Sequence, residues 1–217
     1  HIILFILGLL DDIVDVGSYF KFFVQLLVAI ILVWNADIRI SSFYGLFGLY
    51  ELPIIVSYVF SILVLVFFIN AYNLIDGLDG LSCLVGLYVL LCFLFVFLIN
   101  EQYIEIMLAI SAIGCLLGFL LFNKSPAKIF MGDSGTLSVG LLIAFFSIRV
   151  SNLPLDFSEN INPVIPMVVL SYPVIDTLRV FFRRILNGNS PFSADRKHIH
   201  HALFDLGYGH TKSSILI

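Results

Sequence analysis

Charge is the scarcest property of this sequence. Of its 217 residues, 12% are Asp, Glu, Lys or Arg, about half the ~25% of an ordinary soluble domain. A net charge of −4 leaves no basic field for gripping nucleic acid. Disorder is excluded as well, because disordered chains are rich in charge and poor in apolar residues. The three cysteines, Cys83, Cys92 and Cys115, all sit in apolar runs without CxxC spacing. That excludes a disulfide framework and a thiolate metal site, and leaves them as free thiols. Hydrophobic residues make up 60% of the chain and mean hydropathy is +1.08. Such a chain needs a bilayer around it. Because the apolar runs recur along its whole length, a soluble enzyme with a single anchor is excluded too.

Spanning the hydrocarbon core takes about 20 mostly apolar residues. The runs 20–35, 53–69, 81–99, 106–122, 135–149 and 163–180 predict six spans. The opening HIILFILGLL is too short to span, and another apolar run begins just before Ile217. The expected architecture is therefore all-α: a polytopic transmembrane helix bundle forming one domain over 1–217. It reads as an internal fragment with a partial span at each end.

The connecting segments alternate between two sides. The first side, with its flanking helix ends, holds Lys21, Lys124, Lys128, Arg179, Arg183, Arg184, Arg196, Lys197 and Lys212, while the second holds Arg39 and Arg149. The positive-inside rule makes the first side cytoplasmic, including the basic, His-rich loop 181–212. Polar chemistry is sorted the same way. Asp11, Asp12, Asp15, Asn70, Asn73, Asp76, Asp79, Asp133, His198, His200 and His201 all fall on the first side. Asp37, Glu51, Glu101, Glu105, Asp156 and Glu159 on the second show no pattern. This sorting suits an enzyme with one cytoplasmic-face active site.

Four motifs carry the chemistry. In GLLDDIVDVGSYFK, Asp11 and Asp15 would share a face if the segment is helical, with Asp12 beside them. In FFINAYNLIDGLDGLS, polar residues recur at every third position, Asn70, Asn73, Asp76 and Asp79, and would sweep a curving stripe on a helix. Gly77 and Gly80 loosen the backbone there. In FNKSPAKIFMGDSGT, Asp133 stands where a loop enters a helix, a position ordinarily filled by an N-cap. Lys124 and Lys128 of that loop are suited to phosphate oxygens. The fourth motif, in the loop RRILNGNSPFSADRKHIHHALFDLGYGH, lacks the second ligand pair of a zinc site. Arg196, His198, His200 and His201 read better as a grip on phosphate and sugar. Asp176 should pair with Arg179 one turn away.

Carboxylates without thiols favour Mg2+, with Mn2+ as the substitute. Mg2+ commonly bridges carboxylates to substrate phosphates while Lys or Arg neutralises the remaining charge. A membrane face is where a lipid headgroup meets a cytosolic solute. The residues thus point to transfer of a phosphorylated group onto a lipid.

LLDD, NAYNLIDGLDGL, PAKIFMGDSG and SPFSADRKHIHH, in that order, resemble the polyprenyl-phosphate N-acetylhexosamine-1-phosphate transferases of glycosyl transferase family 4. Within them, the last motif resembles the bacterial undecaprenyl-phosphate N-acetylglucosaminyl 1-phosphate transferases. The resemblance runs from Asp11 to about His210. It implies a multi-pass bacterial inner-membrane enzyme that joins a UDP-amino-sugar to undecaprenyl phosphate and releases UMP, with Mg2+, in building a cell wall polymer or O-antigen. It also implies roles. Asp133 and Asn73 would be metal ligands, and Asp11 and Asp12 would handle the lipid phosphate. Asp76 and Asp79 would line the nucleotide and metal pocket with Asn73, and Asn70 would stand behind them. Lys21 and Lys128 would face phosphates, and Arg196, His198, His200 and His201 the sugar diphosphate.

Other readings remain open. Asp11-Asp12-x-x-Asp15 has the spacing of a Mg2+–diphosphate motif in membrane prenyltransferases, with Asp76-x-x-Asp79 as partner. A transporter would instead carry its polar groups near the bilayer midplane. The identity of the N-acetylhexosamine, the downstream glycan and the oligomeric state, with a homodimer among the options, stay open.

Overall fold

The computed structural model describes residues 1–153 and 163–188 together with Ile199 and Ser214. Among the described residues every regular element is helical, apart from an isolated bridge between Ser42 and Glu51. The order is α1 (Ile2–Val14), α2 (Ser18–Asn35), a 3-10 turn at Leu46–Gly48, α3 (Ile54–Asn73), α4 (Leu81–Ile99), α5 (Tyr103–Asn123), α6 (Gly132–Ser151), α7 (Val164–Val169) and α8 (Ser171–Leu186). In lipid each backbone N–H and C=O must be satisfied within its own segment, so apolar runs free of helix breakers become unbroken helices. Five helices, α2 to α6, are long and apolar enough to cross a membrane. The protein is a polytopic helical membrane protein, and these five match the predicted runs to within a few residues.

The predicted sixth span, 163–180, is not one helix: the chain breaks at Leu170, between α7 and α8. Pro173 has no N–H for the carbonyl of Val169 four residues back, and its ring crowds that carbonyl, so the helix is interrupted there. α8 carries Asp176, Arg179, Arg183 and Arg184 and is two-sided rather than apolar all round. The expected Asp176–Arg179 pair forms, with Nη2 3.1 Å from Oδ1. The same Asp176 oxygen accepts the Ile199 N–H at 2.9 Å.

The bundle is built around α6. Twelve of its 20 residues are buried, whereas α5 buries only Glu105, Ala109, Leu116 and Asn123. Its glycines, serines and alanine let α1, α3 and α4 pack closely against it. Aromatic packing closes the middle, with the Phe97 and Phe146 rings meeting edge-on at 4.9 Å.

The second-side residues are better organised than their sequence suggests. Arg149 Nε donates to the buried Glu105 at 2.7 Å and ties the end of α6 to the start of α5. Arg39 pairs with Asp37 at 2.7 Å, and Asn152 Nδ2 donates to the Arg39 carbonyl at 2.7 Å. Neither group stands near the carboxylates at the other end of the bundle.

Candidate active site at one end of the bundle

The last turn of α1, the first turn of α2, the last turn of α3 and the first turn of α6 converge at one end of the bundle. Gly17 breaks the chain between α1 and α2, and the turn places Lys21 opposite the carboxylates of α1. Lys21 Nζ donates to Asp11 Oδ2 at 2.8 Å and to Asp133 Oδ2 at 2.9 Å. The other Asp11 oxygen accepts the Val16 N–H at 2.8 Å, which closes the turn. One half-buried ammonium thus holds together two acids 122 positions apart, brought together only by the packing of α1 on α6.

Asp133 is held from its other side by α3. Asn73 Nδ2 donates to Asp133 Oδ1 at 3.1 Å and to Thr136 Oγ1 at 2.7 Å. The Thr136 hydroxyl in turn donates to the Gly132 carbonyl at 2.9 Å. Asp133 is not the helix cap that its position suggested. The N-cap is Met131, whose side chain makes no capping bond. Asp12, from α1, accepts the N–H groups of Asp133 at 2.8 Å and Ser134 at 3.1 Å. Asp11 and Asp12 are neighbours in sequence but make contacts of different kinds.

The three-residue spacing does not mark one continuous helix face. α3 ends at Asn73, and 74–80 is a series of turns. Asn70 donates to the buried Gln25 at 2.6 Å and to the Val66 carbonyl at 2.8 Å, behind the carboxylates. Asp76 accepts from Ser82 Oγ at 2.7 Å and from the Gly132 N–H at 3.2 Å. Burial pushes the Asp76 carboxyl above the usual carboxylate range. Those two hydrogen bonds oppose the rise, and the nearby Asp133 and Asp12 add to it. Asp79 ties two loops together: its Oδ2 accepts the Ala127 N–H at 3.2 Å and its carbonyl accepts Ser214 Oγ at 2.9 Å. Asn123 supports the same junction, accepting from Gly80 N–H at 3.1 Å and donating to the Ile129 carbonyl at 2.9 Å.

Some predicted residues stand apart. Asp15 is exposed and stands just past the end of α1, in a left-handed residue at φ 53°. Lys128 is exposed on the loop before α6, and among the described residues its side chain forms no ion pair. Arg196, His198, His200 and His201 lie outside the described residues. Sequence reasoning missed Gln25, Ser82, Asn123 and Thr136. Two had a readable signal: Gln25 lies one helical turn from Lys21, and Thr136 three residues after Asp133.

Among the described residues no three His, Cys, Asp or Glu side chains form a ready-made metal cage. Mg2+ does not require one, because it usually takes one or two carboxylates and completes its shell with water and phosphate oxygens. Asp133, already facing a cation, and the neighbouring Asn73 amide fit that donor set. The charge balance points the same way. Asp11 and Asp133 share the one ammonium of Lys21, while Asp12 and Asp76 accept backbone N–H groups of the first turn of α6. Carboxylates thus outnumber the cation at this junction, and an added cation would offset the excess.

The chain is similar to known proteins over nearly its whole length. It is 36% identical to a probable undecaprenyl-phosphate N-acetylglucosaminyl 1-phosphate transferase of Bacillus subtilis (strain 168), across 99% of this chain and 59% of that protein. It is 33% identical to a decaprenyl-phosphate N-acetylglucosaminephosphotransferase of Mycolicibacterium smegmatis, across 97% of this chain and 56% of that protein. It is 26% identical to the undecaprenyl-phosphate alpha-N-acetylglucosaminyl 1-phosphate transferase of Escherichia coli (strain K12), across 99% and 59%. The chain therefore spans under three-fifths of the length of these relatives. The family model described as glycosyl transferase family 4 matches residues 1–151, and the chain belongs to that family.

Proposed function

We propose that this protein transfers an N-acetylhexosamine-1-phosphate, most simply N-acetylglucosamine-1-phosphate, from a UDP-sugar to undecaprenyl phosphate. UMP leaves, Mg2+ is required, and the product opens the membrane stage of a cell-surface glycan. The observation that carries the reading is Lys21 bridging Asp11 and Asp133, with Asn73 on the far side of Asp133. Family membership supports it, since the relatives' names specify a polyprenyl phosphate and a sugar phosphate. The excess of basic residues on the first side favours an active site facing the cytoplasm of a bacterial inner membrane.

A phosphate monoester has a second pKa of about 6, so the acceptor is largely a dianion at cytosolic pH and needs little general base. An acceptor oxygen attacks the β-phosphorus of the UDP-sugar. The bond from that phosphorus to the oxygen bridging the α-phosphate breaks, and its electron pair leaves with UMP. Asp133 and Asn73 would hold Mg2+, which when bound neutralises charge on the diphosphate. Lys21 fixes Asp11 and Asp133 and offers its remaining N–H to a phosphate oxygen. Asp11 positions the acceptor side of the site rather than removing a proton. Lys128, Arg196, His198, His200 and His201 are assigned to the phosphates and sugar of the donor.

The prenyltransferase alternative loses support from the geometry. Asp15 lies past the end of α1 in a left-handed residue, and Asp12 already engages two backbone N–H groups of α6, so the aspartate-rich triplet is not one helical face offered to a diphosphate. Purified full-length protein, supplied with UDP-N-acetylglucosamine and undecaprenyl phosphate, should release UMP as sugar label enters the lipid. Release of inorganic diphosphate from an isoprenyl diphosphate, with no UMP from the UDP-sugar, would overturn the proposal.

A further inference from the structure

We propose that Asp12 is a positioning residue: with Gly8 it docks the end of α1 onto the first turn of α6 and thereby sets where Asp133 stands. This rests on the function proposed above and separates Asp12 from Asp11, to which the sequence assigns the same task.

Three observations carry it. Both Asp12 oxygens accept backbone N–H groups of α6, those of Asp133 and Ser134, at 2.8 and 3.1 Å. The first N–H groups of any helix lack partners within it, and a carboxylate there also meets the positive end of the helix dipole. One turn earlier on the same face of α1, Gly8 touches α6 backbone to backbone. A Cβ on Gly8 would collide with the Asp133 carbonyl group and the Ser134 nitrogen. From the α6 side, Gly132 adopts φ +64°, and a Cβ there would stand 2.8 Å from Asp12 Oδ2. Two glycines and one carboxylate thus fit two backbones together at the residue that Lys21 and Asn73 grip by its side chain. Asp12 fixes the main chain of Asp133, while Lys21 and Asn73 fix its carboxylate.

The direction of the carboxylate supports this role over direct binding of the lipid phosphate. Asp12 faces the α6 amides, and the cation of the cluster, Lys21, is shared by Asp11 and Asp133 instead. Among the described residues no cation pairs with Asp12, and a carboxylate so placed would repel a phosphate rather than hold it.

The test uses purified full-length protein carrying Asp12→Asn or Gly8→Ala. Asn keeps one acceptor oxygen and turns an NH2 toward the second amide, so it removes half of the contact without emptying the position. Ala adds a single methyl at a residue that offers no side chain to any substrate. Both should lower kcat by about tenfold or more, the effect of losing a charge-assisted hydrogen bond. Both should also raise the Mg2+ concentration giving half-maximal rate and leave the KM for polyprenyl phosphate and the pH profile near the parent's. Read without any turnover, amide hydrogen exchange at Asp133 and Ser134 should quicken in both. A raised KM for polyprenyl phosphate in Asp12→Asn, with exchange at the start of α6 unchanged and Gly8→Ala fully active, would overturn the inference. If the parent protein released no UMP, the function would fail, and the exchange result would still decide the role of Asp12.

Discussion

Lys21 Nζ lies 2.8 Å from an Asp11 oxygen and 2.9 Å from an Asp133 oxygen, and so joins α1, α2 and α6 through a single ammonium group. Removing it leaves two partly buried carboxylates facing each other. A hydrogen bond to a charged group contributes about 1.5–3 kcal/mol, or roughly 10–100-fold in rate where the geometry it holds is needed for the reaction. Lys21→Met should therefore lose at least that much kcat/KM in UMP release. Lys21→Arg should lose less, because it keeps the charge and offers two donors. Equal loss in both variants would contradict the bridging role.

The Asn73 amide reaches Asp133 and Thr136 through its nitrogen. Asn73→Asp keeps an oxygen for a metal ion but replaces the donor with a second negative charge beside Asp133. We expect Asn73→Asp to be no more active than Asn73→Ala in UMP release at saturating Mg2+. Near-parental activity in Asn73→Asp would show that the donor to Asp133 is dispensable.

Gln25 and Asn70 pair at 2.6 Å between α2 and α3. Polar pairs between membrane helices contribute about 0.6–2 kcal/mol, and most of the cost of a single deletion is the orphaned partner. Gln25→Leu and Asn70→Leu should each lower thermal stability in detergent, and the double variant should lower it by less than the sum. Strict additivity would contradict the pairing.

Burial raises the Asp76 carboxyl above its ordinary value, so its ionised form is the costly one in the folded protein. Its contribution to stability is complete in acid and is lost as pH climbs through the raised value. Asp76→Asn removes the charge, while its oxygen still accepts from Gly132 N–H and its NH2 donates to Ser82 Oγ. We expect Tm at neutral pH to rise, by about 2–4 °C per kcal/mol in a chain of this size. The gain should shrink as pH falls through that raised value, because the parent carboxyl then takes up a proton and is neutral as well. A gain that grows in acid would contradict the direction of the shift.

Much of this architecture is visible in the amino-acid pattern, because lipid imposes a simple rule. An apolar run of sufficient length becomes a helix, so α2 to α6 are readable from composition alone. The run at 163–180 misled because apolar content outweighed Pro173, whose effect on the carbonyl of Val169 is a backbone matter that hydropathy does not register. At the site, residue types were legible but partners were not. Asp11 and Asp12 look interchangeable in sequence. What separates them is a contact between α1 and the start of α6, 121 positions on. Gln25 is a single polar residue in an apolar run of the sequence, and only the approach of α3 gives it Asn70.

The most direct test of the central claim follows the β-phosphate. Purified full-length protein is given UDP-N-acetylglucosamine labelled at the β-phosphorus, together with undecaprenyl phosphate and Mg2+. The label should move into the lipid as unlabelled UMP is released. Asp133→Ala should abolish the transfer, and Asp15→Ala, which alters only the exposed end of α1, should retain it. Label remaining with the nucleotide, or transfer persisting in Asp133→Ala, would contradict the assignment of this cluster as the site of phosphosugar transfer.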